Sequence, residues 1–156
     1  MMRLGLAIAA LVIVLDQATK SWLLDVMTPP RVIPVTEFFN LVLVWNRGIS
    51  FGLLGDGGRS QAWLLAAFGV IVAGGLVLWL YRAALPRLPS IAVGLIVGGA
   101  LGNAVDRLRF GAVVDFLDLH AGGWHWPAFN VADSAITVGV AALVLDAVLR
   151  GGPESA

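Results

Sequence analysis

Apolar residues run along this chain in four blocks, each long enough to cross a bilayer. A spanning helix needs about 20 mostly apolar residues. The blocks lie at about Leu4–Val26, Ala62–Tyr81, Pro89–Leu108 and Val131–Leu149. Only the first is broken midway by charge, at Asp16 and Lys20, and the third is rich in glycine (Gly94, Gly98, Gly99, Gly102). The connections differ. Arg82–Leu88 is short, with Arg82, Arg87 and Pro86, and Pro89 follows it directly. Met27–Gln61 is long and amphipathic, and Phe38–Trp45 within it reads as a β-strand from its Val, Leu, Phe and Trp content. Arg109–Asn130 reads as a third loop, with Trp124, Trp126 and Pro127 suited to a membrane interface. The tail Gly151–Ala156 reads as frayed. There is no sequence repeat and no separate soluble domain.

Composition supports lipid as the solvent. The chain has 156 residues, 59% hydrophobic and 13% charged, where a soluble domain carries about 25% charged residues. Net charge is zero, so nucleic acid is not an expected partner, since phosphate binding needs a basic excess. The absence of cysteine excludes a disulfide frame, a thiolate nucleophile and a Cys-ligated metal. His120 and His125 alone fall short of a zinc site. Met1–Leu15 has the form of a signal peptide, but the apolar run continues to Met27, which predicts an uncleaved signal-anchor span.

Four spans put both termini on one side. Arg3, Arg82, Arg87 and Arg150 lie on that side, and Arg31, Arg47, Arg59, Arg107 and Arg109 on the other. The raw count does not favour termini inside. Arg3 flanking the first span and the Arg-dense short loop nevertheless support that orientation. Asp16 and Lys20 then fall in the outer half of span one, on one helical face. Asn103, Asp106 and Arg107 end span three. Asn130 and Asp133 open span four, three residues apart. All three clusters converge on the outer interface. Ionisable groups in a span are costly, usually paired and usually functional.

Each has a plainer reading beside the functional one. Asp16 and Lys20 suit an intrahelical ion pair, Asp106 and Arg107 a cap and interface pair, and Asn103 interhelical glue. Gly98, Gly99 and Gly102 suit close helix packing. Trp124–Trp126 suits an interfacial anchor. Asp115 and Asp133 stand apart, because each sits in an apolar setting without a basic neighbour in sequence and a short hairpin separates them. Two carboxylates in one apolar site share a proton, so one can activate water while the other protonates a leaving group. On spacing alone, Asp106 and Asp118 compete for either role.

Five ordered blocks carry a resemblance. They are Asp16-Gln17-Ala18-Thr19-Lys20, Asn46-Arg47-Gly48-Ile49-Ser50-Phe51-Gly52, the run from Gly98 to Arg107, Gly111 to Phe116, and Phe129 to Ser134. Together they resemble the lipoprotein signal peptidases (signal peptidase II), bacterial membrane aspartyl proteases, over nearly the whole chain. The resemblance implies an all-α membrane protein: one peptidase domain over 1–156, with four transmembrane helices and a small extracytoplasmic β-cradle from the long loop. It implies Asp115 and Asp133 as the catalytic dyad. It implies Asp16, Lys20, Asn46, Gly48, Gly99, Asn103, Asp106, Arg107 and Asn130 as lining or support, with Arg107 or Lys20 meeting carbonyl or headgroup oxygens. The implied substrate is a diacylglyceryl-modified prolipoprotein, cut just before its lipobox Cys at the outer face of the bacterial cytoplasmic membrane. Membrane lipid is an expected partner, a monomer the expected state, and no metal or cofactor is expected. Ile49 and Ser50 stand where the family often has alanines, which affects the shape of the loop pocket. The glycines between Gly48 and Gly58 suit a flap.

Two rivals arise from the same residues. Ser21 beside Lys20 suggests a Ser–Lys protease, but adjacent helical residues point about 100° apart. Ser50 and Ser134 have no obvious base beyond the two histidines. A small ion- or proton-coupled carrier would use the same ionisable groups, but carriers place them near the midplane, often within repeats.

Overall fold

A computed structural model describes residues 1–48 and 58–150. Four long helices appear where the apolar blocks predict them: α1 (Met2–Val26), α2 (Arg59–Arg82), α3 (Arg87–Phe110) and α4 (Val131–Arg150). All four are long and apolar enough to cross a membrane. Each extends by one to three residues beyond the apolar block at most ends, because arginines at the ends of α2, α3 and α4 continue the backbone hydrogen bonding into the interface. The termini of the third and fourth helices have clear causes. Gly111 takes a left-handed φ of 73° and its N–H closes on Arg107 O, which stops α3. Asn130 and Asp133 form a reciprocal cap that starts α4: Asp133 N–H donates to Asn130 Oδ1 (2.9 Å) and Asn130 N–H to Asp133 Oδ2 (3.2 Å).

Helix α3 is the centre of the bundle. Two-thirds of its apolar window (67%) is buried, against 22% or less in the other three, which therefore present most of their surface to lipid. Lipid provides no hydrophobic drive between helices, so close backbone approach does the packing. A Cβ at Gly98 would meet Ala9 O and Val12 Cβ, each at 2.7 Å. A Cβ at Gly94 would collide with Gly5 O, and one at Gly99 with Ala132 O. One face of α3 thus receives α1 and another receives α4.

The extramembrane part departs from the expected loops. The sheet has four antiparallel strands in the order β1 (Ile33–Thr36), β2 (Phe39–Asn46), β3 (Val113–Ala121), β4 (Trp124–His125). The cradle is therefore built from both loops, not from the long one alone, and the stretch read as a third loop is largely strand. Its aspartates interrupt an otherwise β-forming run, Val113-Val114-Asp115-Phe116-Leu117-Asp118-Leu119, and that hides the strand from a pattern reading. Val114 and Phe116 pack with Leu23 and Met27 at the end of α1, so the cradle is welded to the bundle. The register pairs Val44 with Asp115 and Asn40 with Asp118. Phe129, after the β4 hairpin, bridges back to Leu117 before the chain enters α4.

The packing predicts a matched pair of outcomes. Gly98→Ala forces backbone against Cβ and costs about 1–3 kcal/mol, read as a lower Tm in detergent. Gly74 has open space around it, so Gly74→Ala leaves Tm unchanged or slightly raised. Equal effects at the two glycines would contradict the packing.

Candidate active site

At the cradle end of the bundle, polar side chains from three helices and two strands form one connected network. Its base is Lys20, which is 2% exposed. Its ammonium donates to Asp16 Oδ2 at 2.8 Å and to Asn103 Oδ1 at 3.1 Å, and forms an ion pair with Asp106 Oδ2 at 2.9 Å. The remaining carboxylate lone pairs are satisfied too. Asp16 Oδ1 accepts from Ala132 N–H (2.9 Å), and Asp106 accepts from Gln17 Nε2 (2.9 Å) and Val114 N–H (3.0 Å). Gly102 faces the Asp16 carboxylate, where a Cβ would stand 2.7 Å from Oδ2.

Asn103 passes this anchoring upward. Its amide donates to Asp133 Oδ1 (2.8 Å), while its Oδ1 also accepts from Asn130 Nδ2 (3.2 Å). Asn130, fully buried, donates in turn to Asp115 Oδ1 at 2.7 Å. Asp115 Oδ2 accepts from Asn46 Nδ2 at 2.9 Å. Asn46 is itself oriented by Gly48, whose N–H donates to Asn46 Oδ1 (2.9 Å) and whose carbonyl accepts from Gln61 Nε2 (3.3 Å). Gly48 needs to be glycine, since its φ is +78° and a Cβ would lie 2.5 Å from Leu65 Cδ1. Asp115 and Asp133 thus belong to one site, joined through the Asn130 and Asn103 amides.

Burial pushes the Asp115 carboxyl up from 3.8 to about 6, and the nearby Asp133 charge adds to the rise, while hydrogen bonds from Asn46 and Asn130 and the Lys20 charge oppose it. Asp133 lies in the first turn of α4, where exposed N–H groups stabilise negative charge. A hollow of about 410 Å³ beside Asp133, walled by Leu119, Trp126, Phe129 and Val138, gives its carboxylate access from outside.

The network separates the competing aspartates. Asp106 is locked to Lys20, Gln17 and the β3 backbone. It does not pair with Arg107 as a cap and interface pair, because it turns inward to the ammonium. Lys20 is likewise buried against Asp16, Asp106 and Asn103. Asp118 belongs to a separate cluster on β3, bound by His125 Nδ1 (2.8 Å) and Asn40 Nδ2 (2.9 Å), and His125 holds its carboxyl below the usual carboxylate range. Arg107 makes a long hydrogen bond to Asn103 O (3.4 Å), and its buried Nε has no partner among the described residues. Gly99 lies beneath Ala132 rather than near a carboxylate. Ser134 Oγ is spent on Asn130 O (2.9 Å). Ile49, Ser50, most of the 46–60 flap and the tail 151–156 lie outside the described residues. Gln17 and Gln61 were not singled out from sequence. For Gln17 the available signal was a second polar residue next to Asp16 inside an apolar span.

Four spanning helices, a four-stranded cradle and a buried carboxylate network at their junction define a polytopic membrane protein with its polar site at one end of the bundle. A family model described as signal peptidase (SPase) II matches residues 8–149, and the chain belongs to that family. The lipoprotein signal peptidase of Cupriavidus taiwanensis is 50% identical over 147 residues, 94% of this chain and 84% of the relative. That of Methylobacterium sp. (strain 4-46) is 52% identical over 147 residues, covering 93% and 88%. A bacterial membrane enzyme solved by the in meso method at 2.3 Å is similar with a TM-score of 0.81 and 30% identity, over 97% of this chain and 93% of that one. The chain is a multi-pass bacterial membrane protein.

Removing the ammonium leaves two buried carboxylates unpaired. Lys20→Met is expected to cost roughly 3–5 kcal/mol, and adding Asp16→Asn with Asp106→Asn to recover much of it. The half-exposed Arg150–Asp146 pair serves as control, with Arg150→Met within about 1 kcal/mol of wild type. Denaturation in detergent reads all three. A Lys20→Met protein as stable as Arg150→Met would contradict the network's role.

Proposed function

We propose that this chain is an aspartyl endopeptidase that removes the signal peptide from diacylglyceryl-modified prolipoproteins, cutting just before the lipobox Cys. The observation that carries this reading is the bridge that ties Asp115 and Asp133 into one site through Asn130 and Asn103. Membership of the signal peptidase II family and the names of its relatives support the substrate class. The whole chain then forms one peptidase domain, a monomer in the cytoplasmic membrane with the site at the extracytoplasmic face. A substrate tethered in lipid by its acyl chains requires a site at an interface, and this site lies where the helices meet the cradle. Membrane lipid is a partner, and neither nucleic acid nor a metal takes part.

In the proposed reaction Asp133 takes a proton from water as it attacks the scissile carbonyl. Asp115 gives its proton to the departing amine. Arg107, half-buried at the end of α3, offers its guanidinium to a substrate carbonyl or headgroup oxygen. Asp16, Lys20, Asp106, Asn103, Asn130 and Gly99 support the two carboxylates and the helix contacts beneath them, and Asn46 and Gly48 orient Asp115 from the cradle side. Intramembrane carriers use similar groups, but here the network sits at one end of the bundle.

Asp115→Asn and Asp133→Asn are each expected to cut turnover of a diacylglyceryl-modified substrate in detergent by roughly a thousandfold or more, with the fold retained by circular dichroism. Full activity in either variant would overturn the dyad. Serine-directed reagents and chelators leave activity unchanged.

The pH dependence has a definite sign. A carboxyl raised to about 6 holds its proton below that pH and loses it above. If it is the proton donor, kcat/KM, which reports the free enzyme, falls as pH rises through about 6. Substrate excludes further water, so the fall in kcat comes at higher pH. A kcat/KM that instead rises through pH 6 would reverse the assigned roles.

A further inference from the structure

The end of the bundle away from the dyad holds a cleft of its own. A hollow of about 510 Å³ lies among the end of α2, the start of α3 and the end of α4. Trp79 of α2, Leu85 and Pro86 of the α2–α3 turn, Pro89 of α3 and Ala147 of α4 wall it. Its volume falls within the range of small-molecule sites, about 300–1,000 Å³. The lining is apolar except for Asp146 and Arg150, which pair at 2.8 Å.

The charge around this hollow is one-sided. Arg150 is the last residue of α4, and its side chain is 57% exposed against 16% for Asp146. The pair engages Arg150 through Nε, and a guanidinium carries four further N–H donors on its terminal nitrogens. Arg82 ends α2 and Arg87 opens α3, on either side of the turn that walls the hollow, and both are exposed. Arg3 lies at the same end, because Gly5 packs against Leu80 and Ser90. Among the described residues this end carries four arginines against one carboxylate, Asp146. Helix α3 starts here on Pro86 with no side-chain cap, and uncapped N–H groups at a helix start favour an anion.

Apolar walls under a cationic rim select the occupant by charge. A neutral lipid gains nothing from the arginines, and a soluble anion gains nothing from Trp79, Leu85 and Ala147. An anionic phospholipid uses both, and basic pockets between spanning helices on the cytoplasmic side suit such headgroups. We propose that this hollow binds an anionic phospholipid, with its phosphate on Arg150, Arg82 and Arg87 and an acyl chain against Trp79. The orientation proposed above makes it a lipid of the inner leaflet; the binding itself does not depend on that orientation. Bound there, the lipid joins the end of α4 to the α2–α3 turn and stabilises the bundle without entering the reaction.

The test titrates delipidated protein in an uncharged detergent with phosphatidylglycerol and reads Tm. In the wild type Tm rises and saturates, as for any ligand of the folded state. Phosphatidylcholine with the same acyl chains gives no comparable rise, and neither does glycerol phosphate, which has no acyl chain. Arg150→Met needs about fivefold more phosphatidylglycerol for half the effect, the factor expected for one cation beside an anionic lipid. Adding Arg82→Met and Arg87→Met weakens binding further. Ala147→Phe fills the hollow and keeps every charge, and it too raises the midpoint. Arg31→Met, at the opposite end, leaves the midpoint unchanged. Ala147 and Arg150 are exposed, so neither change disrupts packed interior, and each variant is compared with its own lipid-free Tm. No response in the wild type, an equal response to phosphatidylcholine or to glycerol phosphate, or an unchanged midpoint in Arg150→Met overturns the site. A full response in Ala147→Phe also overturns it, by reducing the effect to attraction between charged surfaces. Cleavage is not the readout, so the peptidase reading stands or falls separately.

Discussion

One buried ammonium and the oxygens gathered around it govern the layout of this protein. Lys20 sits buried in the C-terminal half of α1, so its charge must be met by oxygens of the protein. It finds Asp16 on its own helix and Asp106 and Asn103 on α3. Those contacts fix the rotation and depth of α1 against α3. They also fix the amide of Asn103, and through it Asp133 on α4. A cluster that costs energy in lipid is thereby used to specify a geometry that apolar packing alone, indifferent among helices, does not provide.

The second consequence concerns how two carboxylates come to share a site. Asp133 is placed by the start of a helix, because it completes the cap with Asn130. Asp115 is placed by a strand, whose register opposite Val44 brings Asn46 within reach of its second oxygen. Asn130 serves both: its carbonyl caps α4 and its amide holds Asp115. A helix cap and a strand pairing, each ordinary by itself, meet at one residue. The hollow beside Asp133 follows from the same arrangement, since the β3–β4 hairpin must return past Trp126 and Phe129 to deliver the chain to Asn130.

Much of this was legible in the amino-acid sequence, for physical reasons. Lipid demands long apolar runs, so the four spans were visible to within a few residues. Helical spacing placed Asp16 with Lys20, and Asn130 with Asp133, on common faces before any coordinates. The family blocks, whose membership the matching family model and relatives bear out, then ranked Asp115 and Asp133 above Asp106. Spacing could not do so, because it does not show that Asp106 turns towards Lys20. The cradle was half legible. Phe38–Trp45 announced itself as a strand, while β3 was masked by Asp115 and Asp118, whose pairing partners Asn46, Asn40 and His125 lie far off in sequence or across a turn. That α3 encloses Lys20 was also invisible, since it depends on a contact 83 residues away with Asn103.

The central claim is that Asp115 and Asp133 occupy one electrostatic site. It is most directly tested by following the Asp115 side-chain carboxyl carbon by NMR in labelled protein through a pH titration, in wild type and in Asp133→Asn. The account predicts a wild-type midpoint near 6, as burial and the neighbouring carboxylate require, and a lower midpoint once the Asp133 charge is removed. A midpoint that is the same in both proteins would contradict it, because Asp115 would then be titrating without sensing Asp133.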